Sequence, residues 1–137
     1  DLNLDAVRAG RNIYGKERMN LNFVADGRSL PFKENCFDAI VSQDVFEHLP
    51  DKKGAVLVLE EMGRVLKSDR GKMVHKITVL EDAVHIHADP SHKIKWMADE
   101  WNTFFTSRGW GVLENPTRHF PIMSNTSYGN FLIQRAA

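Results

Sequence analysis

The feature that most constrains the fold is the alternation of short apolar runs with longer segments that carry apolar residues at helical spacing. In chain order this pattern predicts a helix at 5–16, strands at 21–25 and 37–42, a helix at 51–67, a strand at 72–80, a helix at 95–108, and strands at 111–114 and 130–134. Strands that alternate with helices form a mostly parallel sheet with helices on both faces. No helix-length segment separates the last two strands, so we expect them to pair antiparallel. The sequence therefore predicts an α/β fold with a mostly parallel sheet and an antiparallel C-terminal edge.

Two of the predicted helices indicate which side faces the core. The helix at 51–67 can begin at Asp51, whose side chain is a favoured N-terminal cap. In this helix and in the one at 95–108, large apolar residues recur every three or four positions, which places them on one face. The predicted core residues are Ala55, Leu59, Met62 and Leu66 in the first helix, and Met97, Trp101, Phe104 and Phe105 in the second.

The charge balance and the cysteine content limit the partners and the compartment. The 137 residues include 18 basic and 18 acidic side chains, so no net charge draws the chain to nucleic acid or to a membrane surface. No apolar run reaches the roughly 20 residues that cross a bilayer, and we expect no signal peptide. The single cysteine, Cys36, cannot form an internal disulfide, which favours a reducing, cytoplasmic compartment. We expect one domain over 1–137.

Residues 23–49 (FVADGRSLPFKENCFDAIVSQDVFEHL) contain a strand ending in an acidic residue, a Leu-Pro-Phe segment, a Phe-Asp strand and a Glu-His-Leu helix start. In this order and spacing they resemble the methyltransferase type 11 group of class I S-adenosylmethionine-dependent methyltransferases. Residues 60–67 (EEMGRVLK) and 89–92 (DPSH), with Trp101 and Gly109-Trp110, are similar to later positions of that group. The resemblance implies a Rossmann-like fold and methyl transfer from S-adenosylmethionine to a small-molecule acceptor.

The resemblance assigns the adenosine end of the cofactor to two acidic residues. Asp26 would accept a hydrogen bond from the adenine amino group, and the backbone of Gly27 and Arg28 would lie beside the ring. Asp1 looks like the acidic residue that holds both ribose hydroxyls in this family. Taken alone, an aspartate before a glycine is more typical of a simple turn. Within the full pattern we favour the cofactor role for Asp26.

The methionine end of the cofactor is assigned to the next strand end. Ser42, Gln43 and Asp44 correspond to family positions whose backbone lines that part of the ligand. This agrees with the general rule that ligands of open α/β sheets bind outside the carboxyl ends of the strands. The sulfonium methyl group is itself a strong electrophile, so the protein chiefly has to align the acceptor with it. The sequence therefore indicates no single catalytic residue.

The glycine-rich loop of this family normally precedes the acidic residue matched to Asp1, and the sequence has no such loop. The family sheet has the strand order 3-2-1-4-5-7-6, so we expect this fold to be N-terminally incomplete. Three explanations stay open: a longer parent protein, a truncated gene fragment, or a homodimer that repairs the sheet through exposed strand edges. The alternative function is a degenerate domain without activity that serves assembly or partner binding.

A first candidate metal motif follows the 37–42 strand. Asp44, Glu47 and His48 have the spacing D-x-x-E-H, which resembles the E-x-x-E-H segment of ubiquinone-pathway O-methyltransferases. Acidic residues and histidine in that segment can hold a divalent metal, which would polarise a hydroxyl acceptor. The alternative, which we favour, is that Glu47 and His48 only cap and pack the turn.

A second histidine-rich segment follows the 72–80 strand. His85, His87, Asp89 and His92 superficially resemble a metallohydrolase motif, but the last histidine is displaced. The length of this loop is typical of a functional segment, and we interpret it as a lid over the acceptor pocket. We therefore predict no metal, and the candidate acceptor-binding residues are His48, His85, His87 and His92.

Overall fold

The described part of the chain contains three helices, four strands and a 3₁₀ turn, joined by loops. The computed structural model describes residues 4–14, 24–80, 89–114 and 127–136. The helices are α1 (Leu4–Tyr14), α2 (Lys52–Val65) and α3 (Ala98–Thr106), and the strands are β1 (Ala39–Gln43), β2 (Lys72–Val79), β3 (Trp110–Glu114) and β4 (Ser127–Arg135). The 3₁₀ turn, Phe46–His48, lies between β1 and α2. Within the described ranges, no helix has the length and apolar character needed to cross a membrane.

The strands form one sheet in the order β1-β2-β4-β3. β1 pairs parallel with β2, and β4 pairs antiparallel with both β2 and β3. β1, β2 and β3 therefore point in the same direction, and β4 runs against them. The order corresponds to the 4-5-7-6 portion of the order that the resemblance implies. The predicted fold class is confirmed, and the antiparallel pair has β4 inside the sheet and β3 at its edge.

The core lies on one face of this sheet. Alternate residues of β2 are buried on that face, whereas Val74 between them is 37% exposed. Helices α2 and α3 both contribute to the buried cluster, which confirms most of the predicted inward faces. The buried positions that agree with prediction are Ala55, Leu59, Met62, Leu66, Trp101, Phe104 and Phe105.

The prediction that Met97 faces inward is wrong, because this residue precedes α3. Its side chain is 48% exposed. Its backbone N–H donates to Glu100 Oε2 at 2.8 Å, so the first turn of α3 begins only after Met97. Leu80 also donates its N–H to the carbonyl of Trp96 at 3.1 Å, which holds residue 96 extended. These contacts also explain why α3 starts three residues later than the predicted 95.

Helix α2 begins as the sequence predicts. Asp51 is the N-cap, and its Oδ1 accepts a hydrogen bond from the backbone N–H of Gly54 at 2.7 Å. An N-cap carboxylate satisfies one of the four N–H groups that a helix start leaves without a partner.

Strand β1 starts two residues later than the predicted 37. Phe37 lies before the strand because its backbone bonds to the end of α2 instead. Its N–H donates to the carbonyl of Val65 at 3.0 Å, and its carbonyl accepts from the N–H of Lys67 at 2.8 Å. The apolar run thus bonds to two different parts of the chain. Phe37 bonds to the end of α2, and only the residues from Ala39 onwards pair with β2 in the sheet.

The predicted strand at 21–25 is described only in part. Residues 21–23 lie outside the described residues, and Val24 and Ala25 lie outside any strand. The chain turns immediately afterwards, where the N–H of Ser29 donates to the carbonyl of Asp26 at 2.9 Å. The expectation of a strand over 24 and 25 is therefore wrong, since these residues have no strand neighbour among the described residues.

A polar clamp joins the Leu-Pro-Phe segment to α2. Glu61 Oε1 accepts from the backbone N–H of Leu30 at 2.8 Å. Arg64 Nη2 donates to the carbonyls of Leu30 and Phe32 at 3.2 and 2.9 Å, and it also pairs with Glu61 at 2.8 Å. Two sequence segments that carry the family resemblance, residues 30–32 and 60–67, are therefore in direct contact.

Candidate cofactor and acceptor site

The carboxyl end of β1 has an unusual backbone conformation at Asp44. This residue has a φ of 51°, in the left-handed region that residues with a side chain seldom adopt. Its N–H donates to the carbonyl of Lys76 at 3.0 Å, which fixes the end of the parallel pairing. Such strained positions concentrate at functional sites. The end of β1 is thus a candidate for ligand binding on geometric grounds.

One carboxylate oxygen of Asp44 has no hydrogen-bond partner. Oδ2 accepts a hydrogen bond from Gln43 Nε2 at 3.2 Å, whereas Oδ1 is buried and unpaired within the described structure. Leaving a buried acceptor unpaired costs about 1–3 kcal/mol, and more for a charged group. The predicted residues Gln43 and Asp44 are therefore brought together, and they present an acceptor suited to a ligand with donor groups.

Ser42 differs from its neighbours because its side chain belongs to the core. Its Oγ lies 2.8 Å from Nδ1 of His75, its direct partner on β2. Only the backbone of Ser42 is left for a ligand, which is the role that the resemblance implies for it.

His75 was not singled out by the sequence analysis, although its alternation with Met73 and Ile77 is visible in the sequence. The ring is fully buried, stacks on Phe105 at 5.4 Å between ring centroids and contacts the edge of Phe46. Burial lowers the pKa of His75 to about 3. The side chain is therefore neutral at physiological pH, and Nε2 has no hydrogen-bond partner in the described structure.

The turn at Asp26 is closed by Arg28. The Arg28 Nη2 lies 2.6 Å from Asp26 Oδ2, and both Nε and the backbone N–H of Arg28 also donate to the carboxylate. These bonds, the side-chain ones first, lower the pKa of Asp26 to about 2. Gly27 packs against α2, since a Cβ there would lie 3.4 Å from a methyl group of Val58. A ligand that bonds to Asp26 must share the carboxylate with the guanidinium or displace it.

The 3₁₀ turn after β1 directs Glu47 inward and His48 outward. Glu47 is fully buried, and its Oε1 accepts a hydrogen bond from the N–H of Thr78 on β2 at 2.7 Å. Its other oxygen, Oε2, is buried with no partner in the described part of the chain. The backbone carbonyl of Glu47 accepts from Lys93 and Ile94 at 2.7 and 3.0 Å, which fastens the segment after β2 against the turn.

The hydrogen bonds from Lys93 and Ile94 to the Glu47 carbonyl bring His92 beside His48. Their ring centroids are 4.6 Å apart, with the rings nearly perpendicular. Ser91 Oγ lies 3.0 Å from His48 Nδ1 and 2.6 Å from Asp89 Oδ1. The hydroxyl and then the backbone N–H of Ser91 lower the pKa of the Asp89 carboxyl by donating to it. Two of the four predicted acceptor-binding histidines therefore form one cluster with Glu47, Asp89 and Ser91.

Three predicted site residues lie outside the described residues: Asp1, His85 and His87. Ser91, in contrast, contacts both His48 and Asp89 but was not predicted as a site residue. In the sequence it stood out only as part of residues 89–92, which carry the family resemblance. The signal that could have found it is its position between Asp89 and His92, where a serine commonly closes a turn on a preceding aspartate.

A family profile described as a methyltransferase domain, type 11, matches residues 1–74, which is more than half of the chain. A search of curated protein sequences finds no match.

Three similar solved structures are distant from this chain in sequence. The YcgJ protein from Bacillus subtilis is 19% identical with a TM-score of 0.65, over 100% of this chain and 81% of that one. A SAM-dependent methyltransferase from Methanosarcina mazei is 17% identical with a TM-score of 0.72, over 99% and 80%. The [4+2]-cyclase SpnF is 14% identical with a TM-score of 0.71, over 99% and 65%. Identities this low show the fold alone. With the profile match, they establish that the chain belongs to the methyltransferase type 11 domain family and has the Rossmann-like fold of class I methyltransferases.

Proposed function

We propose that this protein transfers a methyl group from S-adenosylmethionine to a small-molecule acceptor. The observation that carries the proposal is the end of β1, where Asp44 has a left-handed backbone and a buried, unpaired carboxylate oxygen. In open α/β sheets this end of the strands is where ligands bind. Membership of the methyltransferase family supports the same position.

The residues at this end fit the cofactor. The methionine part of S-adenosylmethionine has a positively charged amino group, which is a suitable donor for the unpaired Oδ1 of Asp44. Gln43 and the backbone of Ser42 would complete this end of the site, and Asp26, Gly27, Arg28 and Asp1 would hold the adenosine end. When bound, S-adenosylmethionine supplies an electrophilic methyl group.

The histidine cluster is the proposed acceptor side. The rings of His48 and His92 would contact the hydroxyl or amine group of the acceptor and align it with the methyl group of the cofactor. The exposed position of His48 leaves it accessible to a small molecule. Ser91 and Asp89 would act as positioning residues, since they hold the His48 ring from its Nδ1 side. His85 and His87 remain proposed members of the same acceptor site.

Calorimetric titration with S-adenosylhomocysteine tests the cofactor part. We expect micromolar binding by the wild type and at least about tenfold weaker binding by Asp44→Asn, because the charged acceptor is lost. Asparagine tolerates the left-handed region, so the fold should be retained. The control is Asp69→Asn, an exposed aspartate in the turn after α2. Absence of binding by the folded wild type would contradict the proposal.

Turnover has to be measured separately from binding, because a fold alone does not fix a reaction. Transfer of a labelled methyl group to small hydroxyl, amine and thiol acceptors is the direct assay. We expect His48→Ala to lower the rate of transfer while leaving S-adenosylhomocysteine affinity within about twofold, because His48 lies on the acceptor side. Equal loss of both would place His48 in the cofactor site instead.

Assembly is the second candidate, favoured by the edge position of β1 among the described strands. β1 ends the sheet among the described strands, and its Val41 is 75% exposed. An apolar residue on an unpaired strand edge promotes pairing with another chain, so we include homodimer formation through β1 in the proposal. Val41→Lys should convert the dimer to a monomer in light scattering. Leu113→Lys, on the opposite edge strand β3 and 50% exposed, should not. A monomeric wild type would contradict this part.

A further inference from the structure

We propose that Glu47, His48 and His92 form a binding site for a divalent cation of the zinc class. One ligand atom from each of these residues lies within 4.8 Å of the other two. The proposal departs from the sequence-based prediction of no metal, because the sequence separates the residues into two motifs that only the fold brings together. It concerns metal binding by the chain itself and does not depend on the proposed methyl transfer.

The buried carboxylate of Glu47 is the strongest indication. Its side chain is fully buried, and Oε1 is bonded to the N–H of Thr78 while Oε2 is unpaired. A buried carboxylate without a compensating charge is unfavourable by several kcal/mol. No ion pair to Glu47 occurs among residues 24–80 and 89–114. A cation coordinated by Oε2 would supply both the missing charge and the missing partner.

The hydrogen bonds around His48 prepare it as a ligand. The single hydroxyl proton of Ser91 is committed to Asp89, whose Oδ1 is 2.6 Å away. The 3.0 Å contact between Ser91 Oγ and His48 Nδ1 therefore requires that Nδ1 carries the proton and donates it. In the neutral ring with this tautomer, Nε2 of His48 is the nitrogen without a proton, and a nitrogen without a proton can bind a metal.

Asp89 also lies beside the second imidazole. Its Oδ2 is 3.6 Å from Nε2 of His92, which is beyond hydrogen-bonding distance. One carboxylate therefore faces both histidine side chains, through Ser91 in the case of His48. The carbonyl of Glu47 additionally anchors Lys93 and Ile94 next to His92. Glu47 and His48 are thus held by side-chain bonds, and the segment that carries His92 by backbone bonds, already without a metal.

The donor set indicates the class of cation. Two imidazole nitrogens and one carboxylate oxygen suit Zn²⁺ and similar ions, whereas Mg²⁺ and Ca²⁺ prefer oxygen ligands only. Ligands of a tetrahedral zinc site are roughly 3.3 Å apart, whereas the ligand atoms here are up to 4.8 Å apart. The side chains must therefore move closer together when an ion binds. Three protein ligands leave one coordination position open for water or an acceptor oxygen.

The test is a titration of untagged, chelator-treated protein with Co²⁺, followed by its absorption spectrum, and with Zn²⁺ by calorimetry. We expect one ion per chain with micromolar affinity. Glu47→Gln keeps the acceptor for Thr78 and removes the charge, so the affinity should fall at least about tenfold. Its control is Glu60→Gln, an exposed position on α2. Since these measurements use no S-adenosylhomocysteine, failure of the cofactor proposal would leave them interpretable.

Two further variants keep the proposal falsifiable if Glu47→Gln does not fold. His48→Ala and His92→Ala should each lose the Co²⁺ spectrum while retaining wild-type circular dichroism. Asp99→Asn should keep it, because this exposed residue in the first turn of α3 is not among the proposed ligands. Binding that persists in His48→Ala and His92→Ala, or that disappears in Asp99→Asn, would overturn the assignment. So would a wild type that binds Zn²⁺ only at millimolar concentration.

Discussion

The buried His75 should make the stability of this protein fall steeply in mild acid. In the folded chain burial lowers the pKa of His75 from 6.5 to about 3, because desolvation disfavours the imidazolium form. The unfolded chain therefore binds a proton below pH 6.5 that the folded chain does not bind until about pH 3. As far as His75 is concerned, the free energy of unfolding thus keeps its full value above pH 6.5 and decreases as the pH falls from there towards 3.

The expected size of the loss follows from linkage. A shift of one pKa unit corresponds to about 1.4 kcal/mol, so lowering the pH from 7 to 5 should cost about 2 kcal/mol through His75 alone. With a urea m-value of about 2 kcal/mol/M, the unfolding midpoint should fall by about 1 M. His75→Phe lacks this titration, so its midpoint should fall by about 1 M less than that of the wild type over the same range.

Urea unfolding followed by circular dichroism at pH 7, 6 and 5 is the assay. Subtracting the His75→Phe profile cancels the contributions of the other histidines and carboxylates. Ile77→Val, two residues along the same buried face of β2, is the control: it should lower stability by about 0.5–1.5 kcal/mol at every pH and keep the wild-type slope. Parallel profiles for the wild type and His75→Phe would refute the reasoning.

Three other variants test features of the fold by urea unfolding. Gly71→Ala should destabilise the protein by about 1–3 kcal/mol, since its Cβ would clash with Leu66 Cγ and with the Lys67 carbonyl oxygen. Gly111→Ala, whose Cβ would lie 3.7 Å from its nearest neighbour, should change stability little. Asp51→Ala should cost about 1 kcal/mol through the lost bond to Gly54, and an equally unstable Asp51→Asn would argue against capping. Arg64→Lys should not replace the guanidinium that bonds Leu30 and Phe32, so wild-type stability of this variant would contradict the clamp.

The elements that were predicted well are those whose signals are local. The spacing of apolar residues in α2 and the alternation along β2 depend only on the periods of a helix and a strand. Boundaries were predicted less well, because distant backbone groups decide them. Phe37 belongs to the apolar run in sequence, but the end of α2 takes its N–H and carbonyl, and no local pattern contains that information.

The candidate site shows the same division. Glu47 and His48 are adjacent, so the sequence could single them out together. The approach of His92 depends on the hydrogen bonds from Lys93 and Ile94 to the Glu47 carbonyl. These bonds join two segments that are separated in the sequence by α2 and β2, so no local pattern indicates them. The unpaired Oδ1 of Asp44 also could not be foreseen, since the burial and partners of this atom depend on residues distant in the sequence. The exposure of the Met97 side chain was missed because the helix was predicted to start at 95, three residues before its true start.

The position of β4 between β2 and β3 has a consequence for the order in which the protein folds. β3 has no neighbour among the described strands except β4, whose pairing joins Val79 to Ser127 and Lys72 to Gln134. During synthesis, β1, β2 and β3 leave the ribosome before their common partner does. The edge of β2 that pairs with β4 in the folded protein therefore stays unpaired until β4 has been synthesised. Unpaired strand edges of this kind promote aggregation of nascent chains. The risk of aggregation during synthesis should accordingly fall only when the residues of β4 have emerged.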